Sequence, residues 1–192
     1  MAGTPVAFEL VPGAPHRLQN VLAALASVHA AGLDAAALAP ELGHVGIMTG
    51  RGVEQSAGGA VLIDDSFNGN PASMVAALDS LKARPVQGGR RIAILGDMLE
   101  LGVEAPAYHE GLAEHLAGID GVYCVGPLMH HLHQLLPAGQ RLGWHEDPAT
   151  LEPLKIAGLL RSGDVVVVKG SKKMFWVNKF VPKLVAALQA RA

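Results

Sequence analysis

Aromatic residues make up only 4% of this 192-residue chain, so any core must be assembled mainly from alanine, valine, leucine and isoleucine. A single cysteine, Cys124, excludes an internal disulfide. It stands in the apolar run GVYCVG and reads as a buried, inert thiol, which suits a reducing cytoplasm. Charge is sparse too: 17% of residues are charged and the net is −2, leaving no electrostatic footprint for nucleic acid. No apolar run reaches the length of a membrane span, and the N-terminus lacks a signal-peptide pattern. Several chemical signatures are missing as well. There is no G-x-x-x-x-G-K-[ST] and no G-x-G-x-x-G, hence no recognisable phosphate cradle; nor is there a Cys/His zinc constellation or a nucleophile elbow. The pair His130 and His133, three apart on one helix face, offers a metal too few ligands and reads as surface histidine. What remains is a chain half hydrophobic, which predicts a packed, soluble intracellular domain.

From Ala60 onward, short apolar runs alternate with helical patterns. AVLID (60–64), RIAIL (91–95), GVYCVG (121–126), RLGWH (141–145) and DVVVVKG (164–170) read as strands. Most are continuously apolar, as strands covered on both faces of a parallel sheet are. Helices are expected near 71–83, 103–117, 127–136, 148–160 and 174–190. That rhythm predicts an α/β fold built on a mostly parallel, doubly wound, Rossmann-like sheet. The first fifty residues differ. HRLQNVLAALASVHAAGL reads as a helix closed by Gly32, Asp34 can cap a second one, AAALAPEL, and GHVGIMTGRGVE reads as a linker. Two helices and a loop make no independent core.

Ligands of open α/β sheets bind beyond the carboxyl ends of the strands. The stretch VLIDDSFNGNPASM places Asp64, Asp65 and Asn68 at one such end. Asn70 is placed to cap the following helix, Pro71 to occupy its first position, and Met74, Ala77, Leu78 and Leu81 to supply its buried face. Local structure thus accounts for Asn70 and Pro71, but less well for the residues before them. A lone Asp-Asp is ordinarily a solvated turn. Here, however, two further polar strand ends follow, GDMLELG with Asp97 and Glu100, and KGSKK with Lys169, and three such ends make a cleft. Lys169 suits either a phosphate or carboxylate partner, or a stem that snorkels to the surface.

DDSFNGNPASM resembles the D-D-S-Y-N-A-N-P-x-S-M signature of the Mur ligases that join D-alanyl-D-alanine to UDP-N-acetylmuramoyl tripeptide. RIAILGDMLELG with the following YHEGLAEHL, NVLAALASVHAAGLD, the GRG at 50–52 and GDVVVVKGS are similar to further segments of that family, in order from about Asn20 to Ser171. The resemblance implies that 1–48 is the end of a truncated central ATPase domain plus linker, and that 49–192 is the C-terminal domain. It implies that Asn20 lies near the adenine of ATP, that Arg51 reaches toward the phosphates, and that Asp64 or Asp65 holds the ribose. Phe67 and Asn68 would line the same edge. His109, Lys169 and Ser171 would sit on the face that closes over nucleotide and acceptor. The chain departs from the family in Phe67 for a usual Tyr, Gly69 for a usual Ala, and KKMFWVNKF after Ser171 where R-G-M-x-M-E is usual.

The chemistry so implied is formation of an acyl phosphate from ATP, with Mg²⁺, followed by attack of the D-Ala-D-Ala amine. ATP and Mg²⁺ would be held mainly by the missing central domain, and the UDP-sugar by a missing N-terminal one. The chain alone is therefore expected to be an inactive C-terminal portion of a peptidoglycan-synthesis ligase. Domain closure is expected to hinge at the glycines of GHVGIMTGRG, with Gly50 as a point where proline would stiffen the linker and leave the domain folded. A stand-alone nucleotide-binding or interaction module is the alternative.

Overall fold

The centre of the sheet is a strand of four consecutive valines, all buried. In the computed structural model, which describes residues 5–9, 16–46, 48–86 and 88–191, six strands form one sheet. They are β1 (Val53–Ala57), β2 (Ala60–Asp65), β3 (Arg91–Gly96), β4 (Gly121–Val125), β5 (Arg141–His145) and β6 (Val165–Lys169). Their order is β1-β2-β6-β3-β4-β5; β1 pairs antiparallel with β2 and the others are parallel. The valines of β6 divide between the two faces. Val166 and Val168 join Leu62, Ile92 and Ile94 in one core; Val165 and Val167 join Ile63, Ala93 and Leu95 in the other. This is why β6 shows no hydrophobic alternation: both of its faces are covered. Each such valine removed from water contributes about 1.5–3 kcal/mol.

The two cores are closed by different helices. One face carries α3 (Pro71–Lys82), the short α4 (Ala105–Glu110) and α5 (Met129–Leu135); the other carries α6 (Pro153–Leu159) and α7 (Phe180–Gln189). The helix α3 begins as its sequence predicts. Asn70 Oδ1 accepts from Ser73 N at 2.8 Å while Ser73 Oγ accepts from Asn70 N at 3.0 Å, a full capping box, with Pro71 at the first helical position. Met74, Leu78 and Leu81 are its fully buried residues.

Several elements differ from expectation. The segment read as linker runs into β1, a strand missed in the sequence, whose polar, alternating VEQSA suits a sheet edge. Gly58 and Gly59, both at positive φ, turn it into β2. The helix expected over 103–117 is broken into 3₁₀ turns around α4, with Gly111 at the break. Helix α6 starts only at Pro153, since Asp147 holds Ala149 N in a side-chain turn before it. Helix α7 starts only at Phe180, after Lys179 at φ 49°.

The chain divides into two compact units, between Met48 and Thr49. In the first, α1 (His16–Ala30) and α2 (Ala35–Leu38) are joined through Gly32, at φ 77°, and Asp34, whose carboxylate caps Ala36 and Ala37. Leu25, Ala35 and Ala39 form a small core there with Val6 and Phe8 packed against it, where none was expected. The second unit holds the whole sheet. Ile47, within the segment read as a hinge, lies outside the described residues.

Gly50 corrects the hinge expectation. It belongs to the second unit, its φ is 76°, its carbonyl accepts from Phe67 N at 3.0 Å, and a Cβ there would meet the Trp176 ring at 2.5 Å. Gly52 N donates to Asp64 O at 2.7 Å. Residues 50–52 are thus fastened to the sheet. Proline, fixed near φ −65°, cannot occupy this site without unseating the turn. Gly50→Pro is expected to lower the stability of this unit itself by roughly 2 kcal/mol or more, read from chemical denaturation. A Gly50→Pro chain as stable as its parent would restore the original hinge assignment.

Candidate functional site

Strands β2, β6 and β3 are neighbours, so the three polar ends picked out in sequence lie side by side. The connections make this a special place. Strands β2 and β3 exit toward the face covered by α3, α4 and α5, whereas β6 exits toward the face covered by α6 and α7. Adjacent strands leaving to opposite faces open a crevice at their carboxyl ends.

Parallel register sets Asp65 opposite Lys169. Lys169 Nζ donates to Asp65 Oδ2 at 2.7 Å and to the Asn68 carbonyl at 3.1 Å. The lysine side chain is 4% exposed and the aspartate 17%, so the ammonium is buried and the carboxylate reaches the surface. The snorkelling alternative for Lys169 is thereby set aside. Asp64 is buried; its Oδ1 accepts from Ser66 Oγ at 2.5 Å and Ser66 N at 3.2 Å. Of the two aspartates, only Asp65 presents itself to a ligand. Asn68 is exposed at the same edge. Close backbone approach completes the crevice, because a Cβ at Gly170 would lie 2.8 Å from Gly96 and one at Gly69 would lie 3.1 Å from Gly170.

The loop after β3 is held by three consecutive amides. Asp97 N donates to Val125 O at 3.1 Å, Met98 N to His109 Nε2 at 2.9 Å, and Leu99 N to Ser171 Oγ at 2.8 Å. Asp97 looks inward: its carboxylate accepts from Leu128 N and Met129 N at the start of α5, and burial raises its pKa against those hydrogen bonds. It anchors a helix rather than facing a ligand. Glu100, at φ 66°, is exposed at the end of the same loop.

His109 requires a correction. The resemblance places it on the ligand-facing surface, yet it is 0% exposed. Its Nδ1 bonds the Ala105 carbonyl at 2.6 Å, so that nitrogen carries the proton and Nε2 is the acceptor for Met98. Both ring nitrogens are occupied within the domain, and burial lowers the pKa below the ordinary 6.5. A histidine kept neutral by folding binds fewer protons than its unfolded counterpart. Stability is therefore complete above pH 6.5 and declines as pH falls below that value toward the depressed one. Denaturation midpoints at pH 7.5 and 5.5 are expected to show that decline, shallower in His109→Gln; an equal slope in both proteins would contradict the assignment. His133, likewise lowered by burial, adds to the same trend.

Arg51 and Phe67 lie together, the guanidinium carbon 4.3 Å from the ring centroid. Trp176 meets the same ring edge-on at 5.4 Å and Lys172 Nζ approaches it at 5.5 Å. These two residues escaped the sequence reading. The departure of KKMFWVNKF from the family pattern was the available signal. Asn20 is exposed on α1 in the first unit. His130 packs on Trp144, centroids 4.3 Å apart, and no group of three His, Cys, Asp or Glu among the described residues could hold a metal.

A mostly parallel sheet with its crevice at β6, and a buried lysine there paired with an aspartate that reaches the surface, define an open α/β domain with a polar crevice at the carboxyl end of its strands. Residues 51–172 match the family described as Mur ligase, glutamate ligase domain. The chain belongs to that family. It is 34% identical over 160 residues to the UDP-N-acetylmuramoyl-tripeptide–D-alanyl-D-alanine ligase of Escherichia coli K12, covering 82% of this chain and 34% of that protein. The enzyme of the same name from Rickettsia prowazekii is 30% identical over 159 residues, covering 82% and 35%. Among solved structures, MurF ligase from Thermotoga maritima in complex with ADP superposes with a TM-score of 0.74 at 24% identity, over 93% of this chain and 40% of that one. A MurF structure from Acinetobacter baumannii gives 0.75 at 25% identity, over 93% and 40%. The chain spans about a third of the length of the curated relatives it matches.

Proposed function

We propose that this chain works as the C-terminal domain of an ATP-dependent amide-bond ligase of peptidoglycan synthesis, joining D-alanyl-D-alanine to UDP-N-acetylmuramoyl tripeptide. The observation that carries this is the Asp65–Lys169 pair at the crevice, in a chain whose curated relatives bear that activity in their names. In this reading 1–48 is the end of a central ATPase domain, with Asn20 toward the adenine, and 49–192 is the domain that closes over nucleotide and acceptor. Cytoplasmic work fits the single unpaired cysteine and the use of ATP; no helix among the described residues is long and apolar enough to cross a membrane.

Each residue then has a separate task. Lys169 fixes one oxygen of Asp65, leaving Oδ1 to accept from a ligand hydroxyl such as those of ribose. Arg51, its guanidinium laid on Phe67, presents donors toward phosphate. Ser171 and His109 position the 97–100 loop without touching a ligand. The reaction is transfer of the terminal phosphoryl of ATP to the peptide carboxylate, then attack of the dipeptide amine on the acyl phosphate and departure of phosphate. Cationic groups offset the charge developing on the transferred phosphoryl. The described residues of this chain do not fit Mg²⁺: Asp64 is engaged by Ser66, Asp65 by Lys169 and Asp97 by a helix. A metal would be held by other parts of the ligase.

Reconstitution tests the reading. This chain would be mixed with a separately produced fragment carrying the UDP-sugar and P-loop domains, and ATP-dependent joining of D-Ala-D-Ala measured. Product only in the mixture is expected. Product from the chain alone, or none from a mixture that assembles, would overturn it.

A further inference from the structure

Two of the chain's departures from the family pattern meet in space: Phe67 and Trp176 pack edge-to-face at 5.4 Å and 76°. A ring pair of this kind contributes about 0.5–1.5 kcal/mol beyond its burial. Trp176 also closes over Gly50, so it braces the turn from which Arg51 projects. Around the Phe67 ring stand two cations, Arg51 at 4.3 Å and Lys172 at 5.5 Å from the centroid, no further than about 10 Å from one another. Both residues are exposed, and neither has a carboxylate partner among the described residues. Asp65 at the same sheet edge is already neutralised by Lys169. Two uncompensated cations beside one aromatic ring, at the carboxyl end of a parallel sheet, form a receptor for a polyanion.

We propose that Lys172 adds a second cation to the phosphate contact already ascribed to Arg51, so that the two grip a polyphosphate chain, and that Trp176 is the positioning residue that holds Phe67 and the Arg51 turn in place. This deepens the reading of the crevice as nucleotide-facing and rests on it, adding Lys172 and Trp176 to the site. A guanidinium stacked on a ring keeps its donors in a fixed plane, ready for paired contacts to phosphate oxygens. The lysine supplies a second, more mobile charge for a neighbouring phosphoryl group.

Inorganic tripolyphosphate, titrated calorimetrically into the intact chain, tests this without requiring ligation. Arg51→Gln should weaken binding about tenfold and Lys172→Gln about fivefold, with Lys183→Gln on α7 unchanged. Trp176→Ala should weaken binding about as much as Arg51→Gln, and the double variant should bind no worse than Arg51→Gln alone. Absence of tripolyphosphate binding by the parent chain at millimolar concentration, or a Lys172→Gln affinity equal to the parent's, would overturn the receptor. A Trp176→Ala variant with a lowered melting temperature but parental affinity would reduce Trp176 to packing. Failure of the reconstituted ligase with tripolyphosphate binding intact would instead contradict the proposed function.

Discussion

Asp164→Ala is expected to destabilise the second unit by about 3 kcal/mol, the largest single loss we anticipate from one side chain. Asp164 sits just before β6, at the end of the sheet opposite the crevice, and its side chain is 0% exposed. Four donors converge on it: Arg90 Nη2 at 2.7 Å, Arg90 Nε at 3.2 Å, Arg90 N at 3.0 Å and Arg161 N at 2.9 Å. Arg90 in turn donates to Leu159 O at 2.8 Å, tying the end of α6 to the start of β3 and β6. Alanine leaves that guanidinium and two amides without their acceptor. Arg90 keeps 24% exposure and can recover some hydration, which sets the expectation at the lower end of the range for a broken buried pair. Asp164→Asn, retaining shape and one acceptor oxygen, should lose about half as much. Chemical denaturation reads both; a loss under 1 kcal/mol for Asp164→Ala would show that this pole of the sheet is held by packing alone.

Lys169→Met should separate stability from function in the other direction. Methionine keeps most of the apolar stem and removes a buried ammonium, whose desolvation is itself costly. The remaining Asp65 carboxylate reaches water, so the expected loss of stability is modest, about 1–2 kcal/mol. In the reconstituted ligase, by contrast, kcat/KM for ATP should fall on the order of 100-fold, the loss of one charge-assisted hydrogen bond to the nucleotide from an Asp65 no longer held in place. Lys169→Arg should not rescue it, because the guanidinium fork does not fit a slot built for one buried ammonium. If the pair acts as a unit, adding Asp65→Asn to Lys169→Met should cost little more than either alone. Parental kcat/KM for ATP in Lys169→Met would remove the pair from the mechanism.

Much of this fold is readable in the order of residues, for physical reasons. The valines of β6 declare a strand covered on both sides, and Asn70-Pro71 declares a helix start, because both depend on neighbours a few positions away. Edge strand β1 is hidden, since half of it faces water and its composition resembles a loop. The contacts that make the site are hidden more deeply. Asp65 and Lys169 lie 104 positions apart and meet only because β6 inserts between β2 and β3. Phe67 and Trp176 meet for the same reason. His109 shows the converse: its position in a familiar motif suggested a surface role, while burial and two satisfied nitrogens make it a brace. Asp97, likewise read as part of the crevice mouth, is taken up by the amides of α5.

The most direct measurement replaces the matched third of the Escherichia coli ligase with this chain and follows ATP-dependent formation of the D-Ala-D-Ala amide. The account predicts product from the chimera and a loss of about 100-fold in kcat/KM for ATP on Lys169→Met within it. A folded chimera that binds nucleotide but forms no amide, or one indifferent to Lys169, would contradict the assignment of this domain to that ligase.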